Sequence, residues 1–244
     1  MLSSYANGRV FGASYGGEPP RVVALHGWAR THADFDRVLD CVDAIALDLP
    51  GFGATPEPPD AWGSSDYAVL VVDVLKEIGH PVVLVGHSMG GRIGVNVAAA
   101  HPELVSGLLL TGAPLVRATS PASPKPGYRV LRWARNRGLI TEKRMEAARQ
   151  QYGSADYRNA SPAMRPVLSR LVGENYDDAI AAVQCPVELV WGSDDTAAPI
   201  AGAEQLDTRF RGRARLTILP GAGHLTPLTA PDELRAAIDR LLRA

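Results

Sequence analysis

Six short apolar runs, each closed by turn residues, constrain what this chain can fold into: "RVVALHG" (21–27), "AIALDLPG" (44–51), "VVLVG" (82–86), "LLLTG" (108–112), "VELVWG" (187–192) and "RLTILPG" (215–221). Their hydrophobicity is nearly continuous rather than alternating. A strand of that kind is buried on both faces, as in a parallel sheet covered by helices. Helical patterns lie between the runs. Ser64/Ser65 can cap a helix through Ile78, stopped by Gly79, and a second helix spans Gly90 to Ala100, before His101-Pro102. Two more run from Pro199/Ile200 to about Phe210 and from Pro231 to Leu242. Strands alternating with helices imply an open α/β sheet with right-handed crossovers. The opening "GRVFGASYGG" (8–17) reads as a short antiparallel hairpin strand at the sheet edge.

One segment breaks the rhythm. "SPASPKPG" (120–127) is a proline-rich hinge, and helical patterns follow at Tyr128–Arg137, Thr141–Tyr152, near Ser161-Pro162 and near Asp177–Val183. No strand pattern returns until Cys185-Pro186. A chain of 244 residues has room for one α/β domain with an insertion. The expected division is a core of 1–114 and 184–244, with 115–183 as a helical insertion. Charge supports it. The net charge of −1 hides twelve Lys/Arg against three Asp/Glu between Leu115 and Arg170.

Several classes are excluded. No apolar run reaches the roughly 18–20 residues that span a bilayer. The start "MLSSYANGRV" lacks a basic patch followed by an apolar stretch, so no secretory signal and a cytoplasmic location are expected. Cys41 and Cys185 are too few for a disulfide scaffold and read as buried thiols in a reducing compartment. The histidines are scattered without metal-ligand spacing, no Gly-rich loop carries a lysine, and the basic segment lacks the interleaved aromatics of a single-strand nucleic-acid platform. Neither a metal nor another cofactor is expected, nor nucleic acid or a membrane as partner.

The chemistry concentrates at "VVLVGHSMGGRIGV" (82–95), where a buried strand runs into a serine flanked by glycines and a helix follows. A Gly-x-Ser-x-Gly match alone is weak, since "GASYG" (12–16) fits as well as "GHSMG" (86–90). Context separates them. Ser14 is followed by Gly-Glu-Pro-Pro, which cannot begin a helix, whereas Ser88 has the strand–turn–helix setting of a nucleophile elbow. Gly86 and Gly90 leave room where strand and helix nearly touch, and Gly91 and Gly94 let the helix pack close.

A serine hydroxyl needs a base. His224, in "LTILPGAGHL" past the last strand, has a Gly-rich loop to carry it over the sheet edge. His26, His32, His80 and His101 sit in less suitable positions, and His87 adjoins the serine but should diverge from it. The base needs a carboxylate, and Asp194 and Asp195 in "WGSDDTAAP" (191–199) both qualify by location. Each of these groups follows a different buried strand. Parallel strands end on one side of a sheet, where open α/β folds place their sites. For a developing oxyanion, the N–H of Met89 is one donor and that of Trp28, after the "RVVALHG" strand, the second. The Trp28 indole and His87 are further candidates to contact substrate.

"LHGW", "DLPGFG", "GHSMGG", "WGSDDTAAP" and "GAGHLTPLTAPDEL" together resemble the signature segments of the α/β-hydrolase superfamily, in order, over essentially the whole chain. The resemblance implies a mostly parallel open sheet with helices on both faces and an inserted helical cap at 115–183. In many members the acid stands three residues after the strand-end glycine and four before a proline, which favours Asp195 over Asp194. It implies a serine hydrolase acting on a carboxylic ester through Ser88, Asp195 and His224. The same triad serves thioesterases, cofactor-free haloperoxidases, carbon–carbon hydrolases of meta-cleavage type and slow-turnover small-molecule receptors. The serine at 88 excludes the aspartate-nucleophile dehalogenases and epoxide hydrolases. "LHGW" and the basic cap are similar to esterases that act on acyl carrier proteins. Arg129, Arg132, Arg135, Lys143, Arg144 and Arg149 are thus candidates to grip an acidic carrier protein or an anionic substrate.

Overall fold

The computed structural model describes residues 2–116 and 153–244 and, between them, 131, 133–135, 137–141, 143–145, 147 and 151. Eight strands form one sheet: β1 (Leu2–Tyr5), β2 (Val10–Tyr15), β3 (Val22–Leu25), β4 (Ala44–Asp48), β5 (Val82–His87), β6 (Val105–Thr111), β7 (Val187–Gly192) and β8 (Ala214–Leu219). Their order is β1-β2-β4-β3-β5-β6-β7-β8. β1 and β2 pair antiparallel, as do β2 and β4, and all other neighbours are parallel. The six apolar runs are therefore the parallel strands.

The first two strands differ in detail from the expectation. β2 carries the "GRVFGASYGG" pattern but is not the edge, because β1 pairs outside it with Leu2 opposite Ala13 and Tyr5 opposite Val10. β1 is mostly exposed and has no apolar periodicity to read. Ser14 lies in β2, hydrogen-bonded to the Tyr5 hydroxyl at 2.9 Å.

The α-helices whose bounds lie within the described residues are α1 (Asp36–Leu39), α2 (Ser64–Ile78), α3 (Met89–Ala100), α4 (Ala155–Asn159), α5 (Met164–Gly173), α6 (Asp177–Ala182), α7 (Ile200–Arg209), α8 (Thr226–Thr229) and α9 (Pro231–Leu241). They cover both faces of the sheet. Val23 and Leu25 of β3 pack in one layer with residues of α2, α3 and α7, while Val22 and Ala24 pack in the other with α1 and α9. That alternation explains the continuous hydrophobicity. Each residue of β3 is fully buried, and each such large apolar side chain contributes about 1.5–3 kcal/mol.

Ser64 is not the cap of α2. Gly63 is the N-cap, and the Asp66 carboxylate accepts its N–H at 2.8 Å. Ser64 is buried where the chain after α5 crosses, so its hydroxyl goes to Glu174 at 2.6 Å and accepts from Asn96 at 2.9 Å. The helix ends at Gly79 in the left-handed conformation, φ 80°, as the sequence predicts.

Between β6 and β7 the described chain is helical or irregular. Within the expected Tyr128–Arg137 and Thr141–Tyr152 helices, residues 131, 133–135, 143–145, 147 and 151 are helical, and 128–130, 132, 136, 142, 146, 148–150 and 152 lie outside the described residues. A helix begins near Ser161-Pro162 as expected: Ser161 Oγ accepts the N–H of Met164, the Ser161 carbonyl accepts that of Arg165, and α5 runs from Met164. α4, capped by the Ser154 hydroxyl, has no counterpart in the expectation. Cys41 is exposed and Cys185 half-buried, so neither is the fully buried thiol expected. No helix among the described residues is long and apolar enough to cross a membrane.

Candidate active site

The carboxyl ends of β3, β5, β7 and β8 lie along one edge of the sheet. Register fixes this: Gly86 stands level with Leu25 and Leu110, and Gly192 with Leu219. Each strand delivers one part of a single site.

β5 delivers Ser88. It sits between strand and helix with φ 50° and ψ −109°, a conformation that costs a non-glycine residue about 1–3 kcal/mol. Surrounding contacts hold it there. The Ser88 N–H donates to the Thr111 carbonyl at 2.9 Å. A Cβ at Gly86 would lie 2.6 Å from Gly91 Cα, and one at Gly90 would lie 2.0 Å from the Leu25 carbonyl oxygen, so only glycine lets β5, β3 and α3 approach this closely. Gly94 differs from the expectation, since a Cβ there would meet Leu108 at an ordinary 3.4 Å.

β7 delivers both acidic candidates and separates them. Asp195 is buried, and its Oδ1 accepts the N–H groups of Ala197 at 2.9 Å and Ala198 at 2.8 Å. Its Oδ2 stands 2.8 Å from His224 Nδ1. Burial alone would raise this carboxyl, but the His224 hydrogen bond and those from Ala198 and Ala197 outweigh it and hold it below the ordinary value. Asp194 is exposed and accepts from the Ser193 hydroxyl at 2.7 Å, in the turn that joins β7 to the loop after β8.

β8 delivers His224, whose Nε2 is 3.1 Å from Ser88 Oγ. An ionised carboxylate only accepts, so His224 Nδ1 carries the proton given to Asp195. In the neutral ring Nε2 then holds the lone pair, and the Ser88 hydroxyl donates to it. The arrangement can take a proton from the serine and spread the resulting charge.

β3 delivers the loop of Gly27 and Trp28. A Cβ at Gly27 would lie 3.3 Å from Ser88 Cβ, so this backbone presses against the serine. Trp28, Met89, His87, Ser88 and His224 all line one cavity of about 270 Å³. Trp28 packs edge-on against Phe52. His26, fully buried, holds the base of the loop: its Nε2 accepts the Leu49 N–H at 2.9 Å, so Nδ1 donates to the Gly27 carbonyl at 2.7 Å.

His87 does not simply diverge from the site. It is 1% exposed, and its Nε2 donates to the His224 carbonyl at 2.9 Å. Burial, reinforced by the neighbouring His224, lowers its imidazole to about 4, so the ring is neutral and Nδ1 is left without a partner. It forms part of the cavity wall and steadies the backbone of residue 224.

Sequence reasoning missed the rest of the lining. Arg30 and Arg92 line the cavity, as do Leu168, Leu171 and Val172 of α5. Arg92 was within reach of inference, because a helix starting at the elbow puts residue i+4 on the same face as Ser88. The α5 residues were not, since only tertiary packing lays that helix over the site. Of the basic candidates, Arg135, Lys143 and Arg144 are exposed, and Arg129, Arg132 and Arg149 lie outside the described residues. Among the described residues no cluster of three or more His, Cys, Asp or Glu is placed to hold a metal ion.

A model described as the alpha/beta hydrolase family matches residues 22–237. The chain is 27% identical to a pimeloyl-[acyl-carrier protein] methyl ester esterase of Aromatoleum aromaticum, over 92% of this chain and 98% of the relative. It is 29% identical to the protein of the same name from Chromobacterium violaceum, over 92% and 95%. Among solved structures, a serine hydrolase involved in carbazole degradation (the CarC enzyme) superposes with a TM-score of 0.75 at 23% identity, covering 100% of this chain and 98% of that one.

Proposed function

This chain belongs to the alpha/beta hydrolase family, and on that premise we propose that it is an enzyme cleaving carboxylic esters through an acyl-enzyme on Ser88. The observation that carries this reading is the continuous hydrogen-bonded chain from Ser88 Oγ through His224 to Asp195, with separations of 3.1 and 2.8 Å. His224 Nε2 takes the serine proton as Ser88 Oγ attacks the ester carbonyl carbon. The carbonyl π electrons move to oxygen, where the N–H groups of Met89 and Trp28 hold the charge. The tetrahedral species collapses, the ester C–O bond breaks, and the alkoxide leaves with the proton from His224. A water then gives its proton to His224 and attacks the acyl carbon. Release of Ser88 with that proton returns the enzyme and frees the acid. Asp195 keeps His224 in the productive tautomer and stabilises its charged form.

Residues 115–183 act as a cap over a core of 1–114 and 184–244. Asp156, Leu168, Leu171 and Val172 come from this segment and form part of the cavity lining, which supports the role. The excess of basic residues in the segment, and the carrier-protein ester in the names of two relatives, support a second element: an acidic carrier protein docks on the cap. A salt penalty confined to carrier-bound esters is then expected, and its absence removes the docking element.

The test of the core reading is p-nitrophenyl butyrate hydrolysis. Ser88→Ala is expected to lower kcat by about 10⁴-fold or more, whereas Ser14→Ala, on β2, is expected to retain it. Full activity in Ser88→Ala would overturn the assignment.

A further inference from the structure

The cavity beside Ser88 contains a cation that the hydrolytic steps do not use. Arg92 lies one helical turn beyond Ser88 on α3 and forms part of the same wall. It is half-buried. Its Nη1 donates to the Leu171 carbonyl at 2.6 Å, which places the guanidinium at the seam between α3 and the roof helix α5. Its Cζ lies over the Tyr176 ring, 5.9 Å from the centroid.

The second arginine of the cavity is different. Arg30 gives both Nε and Nη2 to the two carboxylate oxygens of the buried Asp34, at 2.7 and 2.5 Å, so its charge is matched within the protein. Arg92 has no ion-pair partner among the described residues, unlike Arg30, Arg170, Arg209 and Arg240. One carbonyl satisfies one of its five N–H groups. The surrounding wall is largely apolar, built from Trp28, Met89, Pro114, Leu168, Leu171 and Leu225. The acid on the lining, Asp156, is exposed.

A charged, partly desolvated guanidinium with free donors, in an otherwise apolar cavity, matches a carboxylate at the far end of a short hydrocarbon chain. We propose that Arg92 is a specificity-determining residue, selecting esters whose acyl group ends in a free carboxylate, that is, half-esters of dicarboxylic acids. This rests on the ester-hydrolase reading above. The α5 contact alone would make Arg92 a helix C-terminal cap. Such a role does not distinguish an anionic substrate from a neutral one.

The experiment compares kcat/KM for monomethyl adipate and for methyl hexanoate, both measured on each preparation of the full chain. The wild type is expected to favour the half-ester by about 10- to 100-fold, as a charge-assisted pair implies. In Arg92→Gln, which keeps an N–H donor for the Leu171 carbonyl, that ratio should fall to near one, through a raised KM for the half-ester. Arg92→Lys, which keeps the charge without the planar fork, should retain part of the preference. Free adipate should inhibit methyl hexanoate cleavage competitively in the wild type and lose potency in Arg92→Gln. A preference that survives in Arg92→Gln, or a wild type that cleaves both esters equally well, overturns the role of Arg92 and leaves the ester-hydrolase reading intact. A wild type that cleaves neither ester, nor p-nitrophenyl butyrate, overturns both.

Discussion

Two aspartate–histidine pairs stand at the carboxyl edge of this sheet, and they are nearly superimposable in their local chemistry. In one, Asp195 Oδ2 accepts from His224 Nδ1 at 2.8 Å. In the other, Asp48 Oδ1 accepts from His32 Nδ1, also at 2.8 Å. Both carboxylates are buried, with half-exposed imidazoles beside them. Both accept additional backbone N–H groups: Asp195 from Ala197 and Ala198, Asp48 from His32 and Ala54. In both, burial pushes the carboxyl up and the hydrogen bonds pull it further down, to a net value below normal. The difference is the third group. His224 presents Nε2 to the Ser88 hydroxyl, both lining the cavity, whereas the His32 pair ties the loop after β3 to the end of β4. An Asp–His pair is therefore a structural unit first, and what sets the Asp195 pair apart is its placement beside a serine held at φ 50°.

The largest effect that would break this comparison is on turnover. Asp195→Asn should lower kcat on p-nitrophenyl butyrate by about 10⁴-fold, because an amide facing Nδ1 favours the wrong tautomer. Asp194→Asn, altered on the exposed turn, should leave kcat largely unchanged. The reverse result would transfer the role to Asp194. Asp48→Asn should act on the other quantity. Its amide nitrogen would face the N–H of Ala54 or His32, so urea unfolding should show a loss of about 2–4 kcal/mol, with kcat retained. Activity lost without stability at position 48 would mean that both pairs take part in the reaction.

The smallest effect concerns pH. Burial lowers His26 and His87 to about 4, against an ordinary 6.5. The unfolded chain therefore binds protons that the folded one refuses. Stability is fully present above pH 6.5 and is lost as pH falls towards 4. Asp48 and Asp195, whose folded values lie below the ordinary 3.8, add a further loss only below that pH. Urea unfolding between pH 7 and 4 should show this slope, and His87→Gln should make it shallower. An unchanged slope in that variant would show that His87 does not titrate as a buried neutral ring.

Much of the fold was legible because its signals are local. Continuous apolar runs mark strands that helices cover on both sides, and Gly79 marks a helix end through its own backbone. β1 was not legible, since an exposed edge strand needs no apolar pattern. Ser64 was misread as a cap because its partner, Glu174, is 110 residues away.

By itself, the sequence determined the alternation of strand and helix, the sharp corner at Ser88 and the glycines without which β3, β5 and α3 could not meet. These follow from backbone sterics and residue periodicity, which act over a few positions. Only the tertiary structure separated Asp195 from Asp194 in space, turned His224 towards a serine 136 residues away, and set Arg92 against Leu171 of α5 with no ion-pair partner among the described residues. Side-chain direction, burial and the charges nearby depend on which distant loops close over a site, and no local pattern encodes that.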